Sequence, residues 1–133
     1  MTEDEIARQA FALLQEFVDR IRRRLPGARG GAAFHGVDIH GKRQPYASFA
    51  YAGDDELVLA VLLQRTAAGL TCDADVCAQS LLIEMPMWTC RDTEDPSQVA
   101  ALLANVREFA ASQEDRVIDL LRRDAAGFTP PEP

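Results

Sequence analysis

The residue types best suited to chemistry gather in one short run, His35-Gly36-Val37-Asp38-Ile39-His40. Alternate side chains of a strand share a face, so Asp38 and His40 point one way and His35 joins Val37 and Ile39 on the other. A carboxylate beside an imidazole can orient it as a general base or a metal ligand. A regular strand, however, cannot turn all three groups toward one ion, and a polar strand end with its turn accounts for the same residues. Asp38 and His40 therefore enter only as candidates for a pocket mouth, together with Tyr51. Asp73 and Asp75 form a second pair on one face of a strand. Paired carboxylates can hold a divalent cation or divide acid and base roles. They also suit the solvated side of a half-buried strand.

Three cysteines, Cys72, Cys77 and Cys90, are an odd number without a zinc-type or disulfide-type spacing. Cys72 falls on an apolar face, whereas Cys77 and Cys90 lie near strand ends where exposure is expected. A nucleophilic thiol needs a base or a cationic setting, and neither has a histidine close in sequence. The one basic cluster, Arg20 to Arg24, sits at a helix C-terminus, where the helix dipole already favours cations. The G-x-G-x-x-G and G-x-x-x-x-G-K-[ST] phosphate-binding patterns are absent from the sequence. No cofactor, metal or catalytic residue is assigned on these grounds.

The elements that position these residues are well punctuated. Thr2 and Glu5 have capping-box spacing, and an apolar stripe from Ile6 to Leu25 follows before Pro26-Gly27 stops the helix. The period then changes to two. Strands are predicted over Phe34–His40, Tyr46–Ala52, Leu57–Gln64, Leu70–Cys77 and Leu81–Thr89, with Gly30-Gly31 as a flexible entry. The third is apolar on both faces: Leu57, Leu59, Val61 and Leu63 against Val58, Ala60 and Leu62. Pro86 places the fifth strand at an edge, with Trp88 on the same side as Leu82 and Glu84. Asp95-Pro96-Ser97-Gln98 opens a last helix running to about Asp124, in which Gln113 interrupts the stripe and suggests a bend or a protruding end.

These signals predict one α+β domain over residues 1–128: an N-terminal helix, a five-stranded antiparallel meander and a long C-terminal helix. Both helices pack on the sheet as a two-layer sandwich, and residues 129–133 form a disordered tail. A length of 133 residues suffices for a core without metal or disulfide.

A net charge of −7 opposes binding to nucleic acid and to anionic membranes. The acidic start of the chain and the lack of a long apolar run point to a cytoplasmic protein without a membrane segment. In outline, a small acidic protein with helices on an antiparallel sheet resembles secretion-type chaperones, although those place a helix within the strand series. The leading expectation is a non-catalytic adaptor or chaperone-like protein that binds a protein partner and forms a homodimer. Its contacts would lie on an apolar sheet face, with Val58, Leu62, Tyr46 and Trp88 as candidates, or on a helix surface. The alternatives are a small-ligand-binding protein or enzyme with a pocket between sheet and long helix, and an acidic immunity-type inhibitor of a basic toxin.

Overall fold

Two helices lie on one side of a single antiparallel sheet in the computed structural model, which describes residues 1–37, 43–50, 57–78 and 81–125. Helix α1 spans Glu3–Arg24. The Thr2 hydroxyl accepts from the Glu5 amide at 3.1 Å, Glu3, Asp4 and Glu5 complement the N-terminal dipole, and Arg22 to Arg24 complement the C-terminal one. Ile6, Ala10, Leu14, Phe17 and Ile21 form its buried stripe.

The strands follow as a meander: β1 (Arg29–Val37), β2 (Arg43–Ala50), β3 (Leu57–Thr66), β4 (Gly69–Ala78), β5 (Leu81–Glu84) and β6 (Trp88–Cys90). Strand β1 begins earlier than the sequence predicts, because Gly30 and Gly31 are strand residues rather than a flexible lead. Gly30 has φ +138°, and a Cβ there would sit 1.9 Å from the Ser48 carbonyl oxygen, so the close approach of β2 requires glycine.

The predicted fifth strand is broken. Its halves, β5 and β6, both pair with β4 on the edge away from β3. Glu84 stands opposite Asp75 and Trp88 opposite Cys72, and the Met85 amide donates to the Ala74 carbonyl at 2.8 Å. Pro86 and Met87 together therefore face the single residue Asp73. This is a bulge, seated where proline has no N–H to give. The extra residue reverses the alternation beyond it. Trp88 does not share the side of Leu82 and Glu84; its register puts it on the helix side with Cys72 and Cys90, at the sheet edge and 42% exposed.

Helix α2 (Pro96–Ala125) starts as the sequence predicts. The Asp95 carboxylate accepts from the Ser97 amide at 3.0 Å, with Pro96 at the first helical position. Gln98 works differently from a capping-box residue: its Oε1 accepts from the Arg91 and Asp92 amides, which ties the preceding loop to the helix. Gln113 does not interrupt the helical hydrogen bonding, and the helix is continuous for 30 residues, ~45 Å. Gln113 is instead buried, its amide nitrogen donating to the Ser112 hydroxyl at 3.2 Å while Oε1 has no partner. A buried acceptor left unpaired costs about 1–3 kcal/mol. Gln113→Met keeps the side-chain shape without the polar atoms, so it is expected to raise the urea midpoint by the equivalent of ~1 kcal/mol at an unchanged slope.

The helices run side by side in the same direction. The Met1 amine donates to the Thr93 carbonyl, and Arg20 Nε donates to Glu114 at 2.8 Å, across separations of 92 and 94 residues. Arg24 bridges Glu114 and Asp115 at 2.9 and 2.7 Å. Burial of Glu114 pushes its carboxyl upward, but hydrogen bonds from Arg20 and Arg24 outweigh this and hold it below the usual carboxylate range. α1 covers β1 and β2, with Phe17 meeting Phe49 edge-on at 5.6 Å and Phe11 stacked on Phe34 at 4.9 Å. α2 covers β3, β4 and β6.

Candidate functional site

The strand registers divide the sheet cleanly into two faces. Ala47, Phe49, Leu57, Leu59, Val61, Leu63, Leu70, Cys72, Ala74 and Val76 are all buried and all on the helix side. Their neighbours along each strand point the other way, where no helix or strand of the described residues covers them. The alternation over β3, buried then half-buried at every step from Leu57 to Gln64, is the direct record of this.

Directly opposed residues of antiparallel strands stand side by side on one face. On the open face these pairs assemble into rows across the sheet. One row reads Gly31, Ser48, Val58, Cys77, Leu82; the next reads Ala33, Tyr46, Ala60, Asp75, Glu84. Leu62 stands beside Asp73 in a third, and Gln64, Thr71 and Thr89 make a hydroxyl and amide margin. The face is therefore graded. In these rows its β1–β3 half is mostly small and apolar, with Tyr46, Val58 and Leu62 as the larger side chains and Arg29, opposite Ala50, at its rim. Its β4–β5 half carries Asp73, Asp75 and Glu84.

The crowding of these carboxylates is felt electrostatically. Burial first, then the neighbouring charges of Asp73 and Glu84, raise the Asp75 carboxyl above its ordinary value. A raised carboxyl disfavours the folded state once it is ionised. The penalty is absent at low pH and opens as pH climbs from the usual carboxylate value through the raised one. Asp75→Asn is accordingly expected to melt slightly higher than the wild type at neutral pH, within the ~0.5 kcal/mol of most surface changes. The difference between the two melting curves should close on acidification.

Tyr46, Val58 and Leu62, three residues singled out from sequence for partner contact, lie on this one face. Trp88 does not join them, because the bulge turns it to the helix side. It belongs instead to an exposed edge strip with Met87, which is 63% exposed. Asp38, His40 and Tyr51, named as pocket candidates, lie outside the described residues. Glu84 and Leu82 were missed as contributors. Only the β4–β5 register brings them beside Asp75 and Cys77, and nothing in the local sequence carries that pairing.

Two of the three thiols are arranged against nucleophilic use. Burial, with the nearby charge of Asp73, pushes Cys72 up to about 12. Cys90 is raised as well, mainly by burial, and is enclosed rather than exposed as its position near a strand end had suggested. Cys77 is the exposed cysteine, and it lies on the open face between Val58 and Leu82. Among the described residues no cluster of three or more His, Cys, Asp or Glu is placed to hold a metal ion. No helix of the described residues is long and apolar enough to cross a membrane.

A cleft of about 410 Å³ lies between the starts of α1 and α2, lined by Met1, Glu5, Glu94, Val99 and Leu103 among others. It is not the pocket between sheet and long helix expected for a ligand-binding protein, and Tyr46 does not line it. No protein-family model, curated protein or solved structure matches this chain.

Proposed function

We propose that this chain is a non-catalytic binding protein whose open sheet face docks a protein partner. The observation that supports the reading is the contiguous patch of Tyr46, Val58, Ala60 and Leu62 on a face that neither helix covers. A sheet face rich in apolar side chains gains free energy by leaving water, at ~25 cal/mol per Å² buried, and within the described chain nothing supplies that cover. Such a surface would serve an adaptor, a chaperone-like accessory protein or an immunity-type inhibitor of a basic toxin. The net charge of −7 suits the last through electrostatic steering. Three cysteines without a disulfide fit work in a reducing compartment such as the cytoplasm.

Leu62→Glu tests the reading. Leu62 is half-buried on the open face, so the variant is expected to fold, with an unchanged circular-dichroism spectrum. Affinity purification from the native host should enrich a stoichiometric partner with the wild type and lose it with Leu62→Glu. Light scattering of both proteins reports whether that partner is a second copy. Retention of every wild-type partner by a folded Leu62→Glu protein overturns the proposal.

A further inference from the structure

The grading of the open face specifies what fits it. An extended peptide laid on a sheet face leaves its own N–H and C=O groups without partners, which is why extended ligands add to sheet edges instead. An α-helix satisfies its backbone internally and can lie on a face. The dimensions agree: along β3 the outward residues Val58, Ala60 and Leu62 repeat every ~6.6 Å, and helix positions i and i+4 repeat every ~6 Å. Ala60, Ala33, Ser48 and Gly31 keep the bed shallow enough for close approach, while Val58, Leu62 and Tyr46 rise beside it. One strand further, ~4.8 Å away, the carboxylates of Asp73 and Asp75 run parallel to this bed, with Glu84 beyond Asp75.

The same charges argue against a second copy. A two-fold axis across the strands sets each acidic row against its own duplicate. An axis along the strands gathers both rows into one interface between chains of net charge −7 each. Like charges brought together in this way oppose association.

Resting on the partner-binding reading above, we propose that the open face receives an amphipathic α-helix of a different protein, its apolar side on Tyr46, Val58, Ala60 and Leu62 and its Lys/Arg flank over Asp73, Asp75 and Glu84. Cys77, at the end of the same face, reports occupancy through its rate of alkylation.

Three synthetic peptides of about 18 residues, ~27 Å as a helix, test this on the full chain. The first is an amphipathic Leu/Lys helix, the second has Glu in place of Lys, and the third is a scrambled Leu/Lys sequence that cannot form an amphipathic face. Fluorescence anisotropy should give a micromolar Kd for the first peptide alone, and that peptide should slow N-ethylmaleimide labelling of Cys77. Asp73→Asn/Asp75→Asn/Glu84→Gln should weaken binding about tenfold or more. Neutralising three exposed helix carboxylates (Glu16→Gln/Asp19→Asn/Glu108→Gln) should leave it nearly unchanged. Equal binding of the scrambled or Glu peptide, equal loss with the helix triple variant, or no binding of the Leu/Lys helix overturns the inference. The partner-binding reading survives those outcomes if Leu62→Glu still loses the native partner. Concentration-dependent self-protection of Cys77 without peptide also overturns it, in favour of a second copy. If Leu62→Glu both binds the Leu/Lys helix as the wild type does and keeps the native partner, both readings fall.

Discussion

Replacing Phe17 with alanine is expected to lower the free energy of unfolding by about 3–5 kcal/mol. Phe17 is fully buried on α1, and its ring meets Phe49 of β2 at 5.6 Å and an interplanar angle of 80°. That edge-to-face contact is the centre of the seam between the first helix and the sheet. Truncation removes the ring's transfer free energy and leaves a cavity whose walls, a helix and a strand, cannot both close in. A domain of ordinary stability holds only about 5–15 kcal/mol, so the variant sits near the edge of folding. Urea titration should show a midpoint much lower than wild type with little change in slope. Phe17→Leu, which fills most of the same space, should recover the greater part of the loss. A midpoint for Phe17→Ala within a few tenths of a kcal/mol of wild type would mean that α1 does not depend on this contact.

Gly69→Ala is the second large effect. β3 and β4 are joined through Ala67 and Ala68, and no non-glycine residue among those described has positive φ. Two-residue hairpin loops normally place positive φ inside the loop to match strand twist. Here Gly69 takes it up, at φ +131°. The same position is also where β6 approaches most closely: a Cβ on Gly69 would lie 2.3 Å from the Cys90 carbonyl oxygen and 2.8 Å from Arg91 Cα. All of these are backbone atoms, which leaves nothing flexible to yield. Conformational strain and overpacking are each on the order of 1–3 kcal/mol. The cheapest relaxation is for β6 to separate from β4, which releases Cys90 from its buried setting. Thiol titration therefore reads the effect directly. The wild type should react quickly at Cys77 alone, and Gly69→Ala should expose a second fast thiol at Cys90.

Local signals in the sequence carried most of the element order for clear physical reasons. The Thr2 and Asp95 caps, Pro96 at the start of α2 and Pro26-Gly27 after α1 act within one helical turn, so they read the same in sequence and in space. The strict alternation from Leu70 to Val76 likewise predicts its own burial, since period two is a property of the strand itself. Gln113 is ambiguous in the sequence because a polar residue in an apolar stripe marks a bend, a protruding end or a buried amide, and it is buried here. Only the packing of the surrounding core tells these apart. Gly30 reads as part of a flexible entry in the sequence because its requirement comes from the Ser48 carbonyl, which belongs to another strand.

The candidate site was legible only in part. The surplus of apolar side chains on β3 announced a second face. Which residues share that face was decided by cross-strand register, and register belongs to the tertiary structure. The bulge at Pro86 and Met87 shows the physical reason most plainly. One additional residue opposite Asp73 reverses every side chain after it, which takes Trp88 away from the open face while leaving Glu84 beside Asp75. The chain by itself determined that there are two helices, a meander and more apolar strand surface than two helices cover. The fold determined that the remaining face is graded from Tyr46 and Leu62 to a row of carboxylates, because pairing between strands places side by side residues that are distant along the chain.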